Sequence, residues 1–128
     1  MARILRGEIR WAELNPVRGH EQAGQRRALV VSYEAFHRSG LATVCPISAR
    51  TPRYPGEVAI PEGHAGQTVD AVILYHQVRT IAIERVTRYR IGGVTQYLTA
   101  PDLRHQVREA LAHHLGLDVP AVLDGAAA

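Results

Sequence analysis

A polar run, Val17-Arg18-Gly19-His20-Glu21-Gln22-Ala23-Gly24-Gln25-Arg26-Arg27, puts one imidazole, one carboxylate, two amides and three guanidinium groups into eleven residues. Imidazole changes charge near neutral pH, so His20 is a candidate for proton transfer, against the plainer reading of a surface-loop histidine. Guanidinium is a planar fork that matches phosphate oxygens. Downstream, Ser48 offers a hydroxyl that can hold an anionic oxygen, or bond its own backbone at a strand end. Other reactive patterns are missing. The histidines His37, His64, His105, His113 and His114 fit neither HExxH nor a paired-cysteine spacing, so no metal and no cofactor is expected. There is no phosphate-binding G-x-x-x-x-G-K-[ST] and no G-x-S-x-G elbow.

The elements that must position these groups are mostly strands. Residues 6–13 alternate in polarity and predict a half-buried strand that stops at the Asn15-Pro16 turn signal. Short apolar stretches at Ala28–Val31, Leu41–Ile47, Glu57–Ile60, Ala71–Leu74 and Val78–Ile83 predict further strands. Gly92-Gly93 reads as a tight turn before Val94–Leu98. One long helix is expected over about 99–116, with Leu103, Val107, Ala110, Leu111 and Leu115 on one face. Thr99 and Asp102 resemble a capping box at its start, and Gly116 a cap at its end. A short helical turn at Val119–Leu123 and a frayed end over 124–128 complete the reading. The fold class is mainly β with a C-terminal helix, in a single domain over 1–128 with its barrel over about 6–98.

The chain's 128 residues are enough for one buried core, and 46% apolar with 21% charged residues is ordinary for a globular domain. Neither a membrane span nor a secretory leader is expected. The lone Cys45 suits a reducing cytoplasm. All fifteen basic residues are arginine; the missing lysine is read as the mark of a GC-rich genome rather than of polyanion binding. Residues 1–100 carry thirteen arginines against eight carboxylates, and residues 101–128 two against four, so the first hundred are the better candidate for a polyanion surface.

The segment from Gly7-Glu8-Ile9-Arg10-Trp11 through Asn15-Pro16, Gly19-His20-Glu21-Gln22-Ala23-Gly24-Gln25-Arg26 and Leu29-Val30-Val31 resembles the opening of the MazF/PemK/Kid toxins. Cys45-Pro46-Ile47-Ser48, with Tyr54-Pro55 six residues after the serine, and Gln77-Val78-Arg79-Thr80-Ile81 agree with the same family. The resemblance covers roughly residues 6–86. It implies an SH3-like barrel of the CcdB/PemK superfamily and a homodimer. It further implies metal-independent endoribonuclease activity on single-stranded RNA and a MazE-like antitoxin partner.

It also implies roles for residues. Arg26 matches the family's arginine at the scissile phosphate, Ser48 stands where a catalytic threonine is usual, and His20 matches the histidine of Kid-like members. Glu21 orients Arg26, binds a base, or shapes its loop. Base recognition falls to the loops holding Arg18–Gln25 and Arg50–Tyr54, with Gln22, Gln25, Arg50 and Gln77 as RNA contacts. Tyr54 stacks on a base or covers the barrel edge. Two positions depart from the pattern. Arg27 replaces a proline, adding charge and freedom, and is counted with the RNA contacts. His76 replaces an aspartate that Kid-like enzymes use, and reads as a proton-transfer group, a base-stacking ring or a structural strand histidine. Two rival functions are a CcdB-like gyrase poison, which relies on a tryptophan near the C-terminus whereas the only one here is Trp11, and a non-catalytic RNA-binding barrel.

Overall fold

The structure, a computed structural model, describes residues 3–87 and 96–117. The expected Gly92-Gly93 turn, the Val119–Leu123 turn and the frayed end lie outside the described residues. Strands β1 (Glu8–Glu13), β2 (Gln25–Val30) and β3 (Leu41–Ser48) form an antiparallel centre. Strands β4 (Val58–Ile60), β5 (Ala71–Ile73), β6 (Arg79–Ala82) and β7 (Gln96–Tyr97) extend it in the order β4-β5-β3-β2-β1-β7, with β6 also paired to β3. Two four-residue helices not foreseen in the sequence, α1 (Glu34–His37) and α2 (Glu84–Thr87), precede the long helix α3 (Pro101–His114).

β3 is the hinge of this arrangement. Its first half pairs with β6 from Leu41↔Ala82 to Val44↔Arg79, its middle with β2 at Val44, Cys45 and Pro46, and its end with β5 at Ile47↔Ile73 and Ser48↔Val72. Because successive strand residues point to opposite faces, the centre feeds two cores. Ile9, Leu29, Cys45 and Ile47 meet Val58, Ile60, Ile73 and Val107 on one face. Ala12, Ala28, Val30, Ala42 and Val44 meet Ile4, Ile81, Ile83 and Val86 on the other. Burial pushes the Cys45 thiol up to about 12.

Covering both faces corrects the expectation of a half-buried first strand. The polar face of β1 is buried too: Glu8 and Arg10 are each 1% exposed and form an ion pair at 3.0 Å. The Leu5 N–H also donates to the Glu8 carboxylate. Alternation alone could not reveal this, since a charged face normally signals solvent and only a paired charge survives burial.

Helix α3 begins one residue after Ala100, whose extended backbone (φ −64°, ψ 119°) occupies the N-cap without any side-chain bond. The expected Thr99/Asp102 capping box therefore does not form; Asp102 instead lies in the first turn, where a negative charge suits the helix dipole. Val107 and Ala110 are buried, with Leu103 and Leu111 packed beside them. Leu115, expected on the same stripe, is 52% exposed because the helix has already ended. Gly116, at φ +74°, makes that stop, its N–H donating to the His113 carbonyl at 3.1 Å.

Candidate active site

An open groove of about 1000 Å³ runs between three segments: the β1–β2 connection, the loop from β3 to β4, and the turn Tyr75–Gln77. His20 and Gln22 come from the first, Arg50, Arg53, Tyr54 and Glu57 from the second, and His76 and Gln77 from the third. Helix α3 closes one side with Gln106, Glu109 and His113.

The organising group is Glu57, which the sequence reading did not single out. Its side chain is fully buried. Arg50 holds it with two bonds, Nη1 to Oε1 at 2.9 Å and Nη2 to Oε2 at 2.8 Å. The backbone N–H groups of Arg53 and Tyr54 donate to Oε1 at 2.7 and 3.3 Å, and His76 Nε2 meets Oε2 at 2.6 Å. Burial pushes this carboxyl up, but the Arg50 fork, the two backbone donors and His76 outweigh it and hold Glu57 well below the usual carboxylate range. Glu57 in turn raises the Arg50 guanidinium through the same hydrogen bonds. Gly56, at φ +83°, makes the turn that delivers Glu57 inward, a backbone angle that side chains rarely adopt. The only signal in the sequence was one acid close to Arg50 and Arg53, just before an apolar run.

His76 lies on a 3₁₀ turn rather than on a strand, which corrects the strand-histidine expectation. Tyr54 and Tyr75 both present T-shaped contacts to its ring, with centroids at 5.2 and 5.1 Å. Tyr75 is fixed by its hydroxyl, which donates to the Pro55 carbonyl at 2.7 Å. Tyr54 lines the groove and is 58% exposed.

Gln77 shapes the opposite wall. Its Oε1 accepts the Gln22 N–H at 2.7 Å, and its Nε2 donates to the His20 carbonyl at 3.4 Å, which docks the β1–β2 connection onto the turn. The Gln22 Oε1 is buried without a partner, an acceptor left unmet at the groove. The Glu21 carboxylate accepts the Arg18 N–H at 2.6 Å, so of its three expected roles the geometry contains the loop-shaping one.

Arg26 and Ser48 are not part of the groove lining. They stand at strand ends: Arg26 lies among the first residues of β2 and Ser48 closes β3, whose pairing with β2 runs as far as Ala28↔Pro46 before it passes to β5. Arg26 is exposed, and its Nε donates to the Ala23 carbonyl at 3.0 Å, which leaves the two Nη groups for an anion. The Arg50 N–H donates to the Ser48 carbonyl at 3.0 Å, tying Ser48 to the groove loop. Gln25, the exposed first residue of β2, precedes Arg26. Arg27 points the other way. Its guanidinium lies 5.2 Å from the Trp11 ring centroid, and Nη1 bonds Gln67 Oε1 at 3.0 Å. The freedom expected from losing a proline is thus absent, because β2 begins at Gln25 and alternation sends Arg27 against Trp11. Among the described residues, no three His, Cys, Asp or Glu side chains cluster as metal ligands, and no helix is long and apolar enough to cross a membrane.

A family model described as the PemK-like, MazF-like toxin of type II toxin-antitoxin systems matches residues 5–115. The chain belongs to this family. It is 37% identical over 121 residues to the endoribonuclease MazF9 of Mycobacterium tuberculosis, covering 89% of this chain and 98% of that one. It is 35% identical over 91 residues to the endoribonuclease toxin MazF of Escherichia coli K12, covering 70% and 73%. The crystal structure of MazF from Deinococcus radiodurans superposes with a TM-score of 0.74 at 32% identity, covering 91% of this chain and 99% of that one. A MazE-MazF structure from the same organism gives 0.68 at 27% identity, covering 91% and 98%. The mainly β architecture with its C-terminal helix is therefore that of MazF toxins, of the CcdB/PemK fold.

Proposed function

We propose that this chain is the toxin of a type II toxin-antitoxin pair, an endoribonuclease that cuts single-stranded RNA at short sequence motifs. The observation that carries the reading is the groove itself. It gathers three imidazoles, an arginine-held carboxylate and an exposed tyrosine beside Arg26 and Ser48, in a chain of the MazF family. Metal-free cleavage needs a base for the 2′-OH, stabilisation of the phosphorane charge and an acid for the leaving 5′-oxygen. The 2′-oxygen attacks phosphorus, the P–O5′ bond breaks, and the products carry a 2′,3′-cyclic phosphate and a 5′-OH. DNA, lacking the 2′-OH, survives.

In this reading Arg26 stabilises the phosphorane, since guanidinium is a strong phosphate ligand and a poor proton donor. Ser48 holds a phosphate oxygen, and His20 supplies the proton to the 5′-oxygen. Tyr54 stacks on a base, a contact of ~1–3 kcal/mol in single-strand binders, and Gln22, which lines the same groove, contacts a base edge. The partners are a MazE-like antitoxin and a second copy of the chain, and the setting is the cytoplasm. The test is a long, weakly structured RNA incubated in EDTA with the protein and with Arg26→Ala. Discrete cuts with 5′-OH ends, absent from the variant, are expected. Intact RNA across several sequences and salt conditions would sink the enzyme reading and leave an RNA-binding barrel.

A further inference from the structure

We propose that Glu57 and His76 form a proton-transfer dyad, with His76 taking the proton from the 2′-OH and Glu57 acting as its positioning residue. The inference rests on the endoribonuclease reading above and assigns its missing base. Three observations converge. His76 lines the groove that His20 also lines, and its side chain remains 23% exposed. Its Nε2 lies 2.6 Å from a carboxylate oxygen that is itself wholly buried. Tyr54 and Tyr75 brace the ring from two directions.

The hydrogen-bond geometry fixes the tautomer. Glu57 is held ionised by Arg50 and by two backbone donors, so it can only accept, and neutral His76 must carry its proton on Nε2. The lone pair is then on Nδ1, the nitrogen available for exchange with substrate. When Nδ1 takes the 2′-OH proton, the imidazolium that forms faces the Glu57 carboxylate, which stabilises it without accepting the proton. The 2′-oxygen forms its bond to phosphorus, the electron pair of the P–O5′ bond leaves on the 5′-oxygen, and His20 protonates that oxygen. His76 ends with one proton more and His20 with one fewer; exchange with water restores both.

Other charged and titratable groups share this environment. Arg50 and Arg53 come from the same loop as Glu57, Glu109 and His113 from α3, and His20 from the β1–β2 connection. Tyr75 also contacts His114, with centroids at 5.5 Å. A pH profile of the wild type alone would therefore mix several groups, and the assignment needs a variant.

The experiment first locates a cut site in the long RNA, then uses short RNAs containing it, one of them with sulfur in place of the bridging 5′-oxygen. Thiolate leaves without an acid, so that substrate isolates the base. Wild-type cleavage of the ordinary RNA establishes the underlying reading separately. His76→Asn keeps a donor for Glu57 but cannot take a proton at neutral pH; His76→Gln serves if the asparagine variant fails to fold. We expect kcat to fall by about 10²–10⁴-fold, with KM little changed. The rising limb of the pH profile should be lost, and the same defect should appear on the sulfur substrate. Wild-type-like kcat and pH profile in the folded variant would overturn the dyad while leaving the endoribonuclease reading intact. A defect that disappears on the sulfur substrate would also overturn it, since His76 would then be the acid.

Discussion

Glu57→Gln keeps the shape of the side chain and removes only its charge, so its cost can be worked from the contacts. Glutamine Oε1 can still accept the Arg53 and Tyr54 N–H groups and Arg50 Nη1. The other oxygen becomes an NH₂ facing two donors, Arg50 Nη2 and His76 Nε2. His76 can escape by changing tautomer, whereas Arg50 must turn its second nitrogen to water. Breaking a buried ion pair costs ~3–5 kcal/mol when the orphaned charge stays buried. Arg50 is 16% exposed and can partly rehydrate, so about 2–3 kcal/mol is the expected loss at neutral pH. For a domain of this size that is a fall in Tm of roughly 6–15 °C.

The pH dependence carries the sharper test. Glu57 has its carboxyl lowered by folding, so its stabilisation is fully present above the ordinary carboxylate range and is lost as pH falls towards the depressed folded value. The gap between wild type and variant should narrow steadily below about 4.3, the unfolded value. Circular dichroism melts from pH 3 to 8, at one fixed protein concentration because self-association shifts Tm, would measure it. A gap that stays constant down to pH 3, or a neutral-pH shift below about 2 °C, would refute the claim that ionised Glu57 organises the groove.

Two further outcomes follow from particular contacts. Arg27→Ala removes a cation–π contact with Trp11 and a bond to Gln67. It should cost ~1 kcal/mol in urea unfolding and change Trp11 fluorescence, while RNA cleavage stays within about threefold of wild type, since this arginine faces away from the groove. Ala100→Ser should supply the missing oxygen at the start of α3 and stabilise the protein by about 0.5–1 kcal/mol, read as a rise in Tm.

The strands were legible because their patterns are local. Leu41–Ser48 and Ala71–Ile73 are apolar runs between turn residues, and the structure places strands there. Helix α3 was legible from its spacing, but its cap was not: Thr99 and Asp102 fit the pattern, and the chain enters the helix one residue later. A four-residue helix such as α2 has too few positions to show a period. The candidate groove was legible where its lining lies on one stretch of chain, as in the loop holding His20 and Gln22. It was not legible where it depends on tertiary closure. Glu57 and His76 are nineteen residues apart, and only the pairing of β4 with β5 and of β5 with β3 brings them together. Arg26 and Arg27 are neighbours in the sequence, and strand alternation separates them onto two faces.

The threefold pairing of β3 places different demands on different stretches of the chain. Between Cys45 and Ser48 a single inserted residue would exchange the sides of the rest of the strand, sending core side chains to the wrong face and moving Ser48 from its place opposite Val72. Between β4 and β5 the same insertion falls in the connection from Pro61 to Asp70, outside any strand register, where added length costs loop entropy and a local shift around the buried Gln67. Lineages descended from such a chain can therefore vary more in the length of that connection than in the β3 segment, which keeps its count. Length variation among descendants would then trace the groove's geometry without any reference to which side chains are retained.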